Sequence, residues 1–271
     1  MKLGVATSVF VNYLLPDVIP CVAEAGYDGI DIWGGRPHAY RHDYAPADLE
    51  RLRRLLDYYH LTVASFMPAF YRYPHSLSSP NETVRQDSLD YMRQCVESAV
   101  ILGAGIVLLV PGCSLHGQDV QDARRRMMDS IDEICRYAAR YDVRLGIEPA
   151  NRVASDLVNT ASDALSIINE LGHPSLGVVM DTGHINLVQE SAEEALKRLG
   201  GLLLQFHVND NDGTRQQNLI PGEGTVDFGG LIRLLRATGY DGFLSAELAW
   251  DYTANPVPAI AEAAKRIRAL L

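Results

Sequence analysis

Leu176–Asp181 reads LGVVMD, a short apolar run that stops on a carboxylate. The pattern recurs in Arg144–Glu148 (RLGIE), Leu202–His207 (LLLQFH) and Gly242–Glu247 (GFLSAE). Each run is too brief for a typical helix and too apolar for a surface strand, so each reads as a strand buried on both faces. A carboxylate or imidazole at the end of such a run is costly to bury unless it is paired or metal-bound. Parallel α/β barrels present their chemistry at the C-terminal ends of their strands. The four runs therefore predict that Glu148, Asp181, His207 and Glu247 converge on one divalent cation.

Working outward, the same unit fills the chain: a short apolar run, a polar loop, then a stretch with helical periodicity. Strand-like runs begin near Leu3, Gly29, Thr62, Ile106, Arg144, Leu176, Leu204 and Gly242. Eight such units without a composition break predict an α/β fold, a single (β/α)8 TIM barrel over residues 1–271. An open doubly wound sheet usually carries a glycine-rich phosphate turn after its first strand, and the loop SVFVNYLLP has no glycine. Val120, Ala123, Met127, Ile131, Ile134 and Ala138 form a helical stripe. Thr160 with Asp163, and Ser191 with Glu194, have the spacing of capping boxes. Pro46 and Pro80 suit the first turn of a helix. The aperiodic, aromatic segment Ala69–Ser79 reads as a loop over the barrel mouth.

The composition, 47% hydrophobic and 21% charged, excludes general disorder. A formal net charge of −10 argues against a nucleic-acid partner, and the cluster Arg124-Arg125-Arg126 reads as a solvated helix face. Cys21, Cys95, Cys113 and Cys135 show no paired spacing, which fits reduced thiols. No apolar stretch is long enough to cross a membrane, and the first residues lack a cleavable signal pattern. The expectation is a soluble, cytoplasmic protein with a small-molecule substrate.

A Glu, Asp, His, Glu set is rich in hard oxygen ligands. It suits Mn²⁺ first, then Mg²⁺ or Co²⁺, better than a structural zinc. A cation at such a site polarises a sugar carbonyl, and Glu148 and Glu247 would serve as acid and base on the two faces of a neighbouring carbon. Epimerisation, aldose–ketose isomerisation and β-elimination all remain open to this set. Further candidates for substrate contact are His184 in MDTGH, Arg215 in the loop after His207, and Trp33 and His38 in IWGGRPHAY. Asp210 is placed to orient His207 from behind. Glu223, in the turn sequence PGEG, reads as structural.

The pieces IEPANR around Glu148, MDTGHINL around Asp181, HVNDNDG around His207, IPGEG, and AEL around Glu247 resemble the xylose isomerase-like barrel superfamily, and within it the ketose 3-epimerases. GYDGIDIWGGRPHAY resembles the fructoselysine 3-epimerase branch more specifically. The resemblance implies Mn²⁺, Mg²⁺ or Co²⁺ at the four matching positions, proton exchange at C3 by the two glutamates, and a homo-oligomer, dimer or tetramer. It departs at Ala154, where the tagatose type carries a further glutamate. Related barrels include inosose dehydratases and enzymes that cleave 3-keto C-glycosides, so a metal-dependent lyase is the second expectation. A DNA-repair nuclease of the endonuclease IV type shares the barrel, but it gathers more histidines and shows a basic face. A sugar-binding barrel without activity would not need both glutamates.

Overall fold

The computed structural model describes residues 1–70 and 73–271. Its strands are β1 (Lys2–Ala6), β2 (Gly29–Trp33), β3 (Thr62–Met67), β4 (Ile106–Leu109), β5 (Arg144–Ile147), β6 (Leu176–Asp181), β7 (Leu203–Val208) and β8 (Phe243–Ala246). All are parallel, and β8 pairs with β1 to close the barrel. Gly29, Thr62, Ile106, Arg144 and Leu176 open strands as the periodicity predicted; at Leu3, Leu204 and Gly242 the start moves by one residue.

The helices are α1 (Leu15–Glu24), α2 (Pro46–Tyr58), α3 (Glu82–Leu102), α4 (Val120–Ala138), α5 (Ala161–Leu171), α6 (Thr182–Val188), α7 (Ala192–Leu199), α8 (Phe228–Ala237) and α9 (Pro256–Leu270). The stripe in α4 faces inward, with Ala123, Met127, Ile131, Ile134 and Ala138 buried, while Val120 at its start is exposed. The Thr160–Asp163 capping box is complete. Ser191 accepts from the Glu194 amide. Pro46 opens α2, whereas Pro80 precedes Asn81, the residue that caps α3. Asparagine supplies the oxygen that caps the Thr83 amide, so the helix begins after the proline rather than on it. In the predicted loop Ala69–Ser79, residues 71 and 72 lie outside the described residues; the remainder contains neither helix nor strand.

The main core lies between the strands and the surrounding helices, while a smaller cluster of Ala6, Met67, Leu108 and Val179 packs separately. β6 is buried along its whole length, which explains its unbroken apolar run. One irregularity decides the site. The β6–β7 register runs Val178 to Leu203, then Val179 to Gln205, so β7 carries one extra residue at Leu204. Beyond it Asp181 lies opposite His207. Were Leu204 paired with Val179 instead of bulged, Phe206 would take that place, on the opposite face of the strand from His207.

The capping box gives a simple check. Thr160→Ala removes a first-turn acceptor and should lower stability by about 1 kcal/mol in urea unfolding. An unchanged midpoint would mean that Asp163 alone carries the cap.

Candidate metal centre

The C-terminal ends of β5 to β8 bring the four expected residues together. Glu148 and Glu247 lie one position beyond β5 and β8, and each donates its backbone N–H to the neighbouring strand: Glu148 to Leu109 O and Glu247 to Val208 O, both at 3.1 Å. The strand ladder thus fixes both glutamates although their strands have ended. Asp181 closes β6, and His207 is the penultimate residue of β7. One ligand atom from each of the four lies within 4.8 Å of the other three.

His207 Nδ1 stands 2.8 Å from Glu148 Oε1 and 3.1 Å from Glu247 Oε2. Two ligands about 2.1 Å from a shared ion and at right angles to each other are about 3 Å apart, so this spacing fits a six-coordinate divalent cation. Asp181 Oδ1 accepts from the His184 backbone N–H (2.8 Å) and its Oδ2 from Asn209 Nδ2 (2.5 Å), which fixes the carboxylate plane. Gly183 permits this, because a Cβ there would meet Asn209 Oδ1 at 2.1 Å.

The electrostatics show the demand for positive charge. Burial drives the Asp181 pKa up to about 6; His184 and His207 oppose the shift, while Glu247 and Glu148 add to it. Burial disfavours a charged His207, yet Glu148 and Glu247 outweigh it and hold the imidazolium well above the usual histidine range. For Glu247, burial is likewise outweighed by His207, and its pKa is lowered. A proton on His207 is the one positive charge among three carboxylates. A divalent cation would replace that proton and neutralise more of the cluster, so the residues present fit such an ion.

Beside the cluster is a cavity of about 260 Å³, lined by Glu148 and Glu247 together with Trp33, His184, Gln216 and Ala154. Two of the residues predicted to contact substrate, Trp33 and His184, thus line this cavity. Asn151 Nδ2 lies 3.2 Å from His184 Nδ1 and 2.9 Å from Gln216 Oε1. An amide N–H must donate, so His184 Nδ1 accepts and a neutral ring carries its proton on Nε2. Asn151 stood in the quoted IEPANR motif but was not singled out. Gln216, one residue past the predicted Arg215, had no signal in the sequence.

Three expectations are corrected. His38 is fully buried beneath the mouth, with Nδ1 3.0 Å from Thr7 Oγ1 and Nε2 3.1 Å from Phe10 O. Thr7 Oγ1 also accepts from the Trp33 backbone N–H (2.9 Å), so His38 supports Trp33 from behind instead of meeting substrate. Arg215 is exposed and its charge acts on Asp212, and it is the neighbouring Gln216 that lines the cavity. Asp210 does not orient His207. Its carboxylate accepts from the backbone N–H groups of Asn211, Gly222, Gly224 and Val226 and so folds the loop after β7. A Cβ at Gly224 would lie 2.2 Å from Asn211 O and 2.4 Å from Asp210 Oδ1, so glycine is needed there by the close approach of both groups. Glu223 is structural as expected: its carboxylate accepts from Tyr252 Oη at 2.7 Å and is 3.4 Å from Arg266.

The model of the xylose isomerase-like TIM barrel family matches residues 20–270. The chain belongs to that family. It is 28% identical over 271 residues to a fructoselysine 3-epimerase of Shigella flexneri, covering 100% of this chain and 98% of that protein. Its structure is similar to that of a 3-keto-D-glucoside 4-epimerase from E. coli, with a TM-score of 0.84 at 21% identity and 99% of each chain covered. It also resembles a D-tagatose 3-epimerase-like protein, with a TM-score of 0.83 at 25% identity and 99% of each chain covered. The family's relatives and neighbours named here are sugar epimerases or epimerase-like proteins. Among the described residues no helix is long and apolar enough to cross a membrane.

Three outcomes follow from the charges. Mn²⁺ should raise the melting temperature, by the equivalent of about 2.7 kcal/mol at a hundredfold excess over Kd, and His207→Ala should remove most of that shift. Protons compete for the ligands, so affinity should rise with pH as Asp181 ionises near 6 and His207 gives up its proton. An affinity equal at about pH 5 and about pH 8 would contradict the assignment. Burial lowers the His38 pKa to about 4, against about 6.5 in the unfolded chain. Between those values the unfolded chain binds the extra proton, so stability should fall as pH drops through that window. An NMR titration that placed His38 near its ordinary value would refute this.

Proposed function

We propose that the protein is a divalent-metal-dependent sugar epimerase acting at C3 of a ketose or ketosamine. The single observation that carries the reading is the pairing of Glu148 and Glu247 on one imidazole nitrogen, at the floor of a cavity sized for a sugar. Epimerisation needs one group to remove a proton and a second to return one, and two carboxylates in one small cavity meet that need. The 3-epimerase relative, aligned across the whole chain, favours C3 as the carbon.

Glu148, Asp181, His207 and Glu247 would hold the ion, with Mn²⁺ proposed ahead of Mg²⁺ and Co²⁺. When bound, the cation supplies Lewis-acid polarisation of the substrate carbonyl, which acidifies the adjoining C–H. One glutamate then takes the C3 proton through a carboxylate oxygen, and the other returns a proton from the opposite side. His184, carrying a proton on Nε2 and held by Asn151, is placed to donate to a substrate oxygen. Trp33 gives the sugar a flat apolar wall. We propose a homo-oligomer acting in the cytoplasm; the four cysteines form no disulfide among the described residues, in keeping with a reducing compartment.

Incubating the Mn²⁺-loaded protein with fructose or a fructosamine in deuterated water should place deuterium at C3 and generate the C3 epimer. Glu148→Gln or Glu247→Gln should cut that rate by about 10²–10⁴-fold. Loss of water or of an aglycone, instead of exchange, would identify a lyase and overturn the epimerase reading.

A further inference from the structure

We propose that Gln216 is a specificity-determining residue, which offers its amide N–H groups to an oxygen of the sugar. Asn151 is the positioning residue that aims both Gln216 and His184. The inference rests on the sugar-epimerase reading and adds the residues that decide which way round the sugar lies.

The chain of bonds starts in the backbone. Asn151, in the turn after β5, is 3% exposed, and its Oδ1 accepts from the N–H groups of Val153 (2.9 Å) and Ala154 (3.2 Å). The turn is braced in its own right, since Asn159 Nδ2 donates to Ala150 O (2.6 Å) and Ser155 O (2.9 Å). Two backbone donors on Oδ1 allow one orientation of the Asn151 amide, because the reverse would set N–H against N–H. Its Nδ2 group, with two hydrogens, therefore faces α6 and the loop after β7.

Both hydrogens are used there. One goes to His184 Nδ1 at 3.2 Å and the other to Gln216 Oε1 at 2.9 Å. Gln216 is exposed and lines the cavity beside the cluster. A solitary glutamine can present either end of its amide, but this one has its oxygen committed to Asn151. Its Nε2 carries two N–H groups that meet no acceptor among the described residues. His184, with Nδ1 accepting, likewise turns a donor outward from Nε2.

Two side chains of the cavity thus offer donors, while the carboxylates of Glu148 and Glu247 offer acceptors. A sugar hydroxyl can donate or accept, so a wall of mixed character would admit several poses. Here a hydroxyl at Gln216 must accept and one at the glutamates must donate, which removes that freedom. Gln216 stays within reach of water, so the discrimination expected of it is about five- to tenfold, well short of the factors seen for a buried donor.

Two measurements on the protein loaded with Mg²⁺, which is diamagnetic, test the proposal. At about pH 8, long-range ¹H–¹⁵N spectra should show the His184 hydrogen on Nε2, with the signals assigned by their loss in His184→Phe. Asn151→Asp keeps an oxygen for the Val153 and Ala154 amides but turns an acceptor toward the ring, so Nδ1 should now carry a hydrogen. A purely structural asparagine would leave the ring as it was, and that result would overturn the positioning role. Calorimetry then gives the affinity for D-fructose and for its monodeoxy forms at C1, C4, C5 and C6. Gln216→Leu should erase about fivefold or more of the penalty of one deoxy sugar and leave the other penalties in place. Penalties that all survive Gln216→Leu would overturn the specificity role. Absence of any sugar binding would overturn it together with the epimerase reading; C3 exchange without the coupling would retire Gln216 and leave the epimerase.

Discussion

Like charge held in a confined, poorly solvated space is the constraint on which the rest depends. Three carboxylates and one imidazole meet where four strands end, and no arginine or lysine forms an ion pair with any of them among the described residues. An isolated buried pair is stabilised by its own geometry. This cluster is not, since His207 is shared by two glutamates while Asp181 is held by an amide and a backbone N–H. The self-repulsion of this cluster is of the kind that a bound cation would relieve, and such binding would couple stability to chemistry.

Support for the cradle comes from neutral donors. Asn209 and the first turn of α6 hold Asp181, the strand ladder holds the glutamate backbones, and Asn151 holds His184 and Gln216. Neutral amides fix orientation without cancelling the negative charge of the cluster. The Asp210 carboxylate is kept out of the site and spent on the amides of its own loop. Acidic groups near the centre thus divide into those that cluster with His207 and those that fold backbone.

The barrel was legible because buried parallel strands have almost no alternative sequence. LGVVMD cannot be an amphipathic helix, and its terminal aspartate had to be satisfied. The four clustered residues could be read for the same reason. His38 and Arg215 misled because their loops fall at the mouth while their side chains do not: one turns down onto Thr7, the other out to solvent. Gln216 escaped notice because an amide beside a charged residue carries no pattern. The shared role of Asn151 arises only once β5, α6 and the loop after β7 stand side by side.

The added residue in β7 has a consequence for how this chain can vary. The pairing of Gln205 with Val179, just past Leu204, sets the parity of every position after it, so the strand counts its residues in twos from the bulge to its end. One residue added after the bulge would bring Phe206 opposite Asp181 and turn the imidazole away, whereas loss of Leu204 itself would leave His207 opposite Asp181 in unbroken register. A change of two would keep the facing and shift only the height. Insertions here should therefore come in pairs or fall in the loops, which makes the spacing from LGVVMD to QFH a stricter marker of a working centre than the identity of any apolar residue between them.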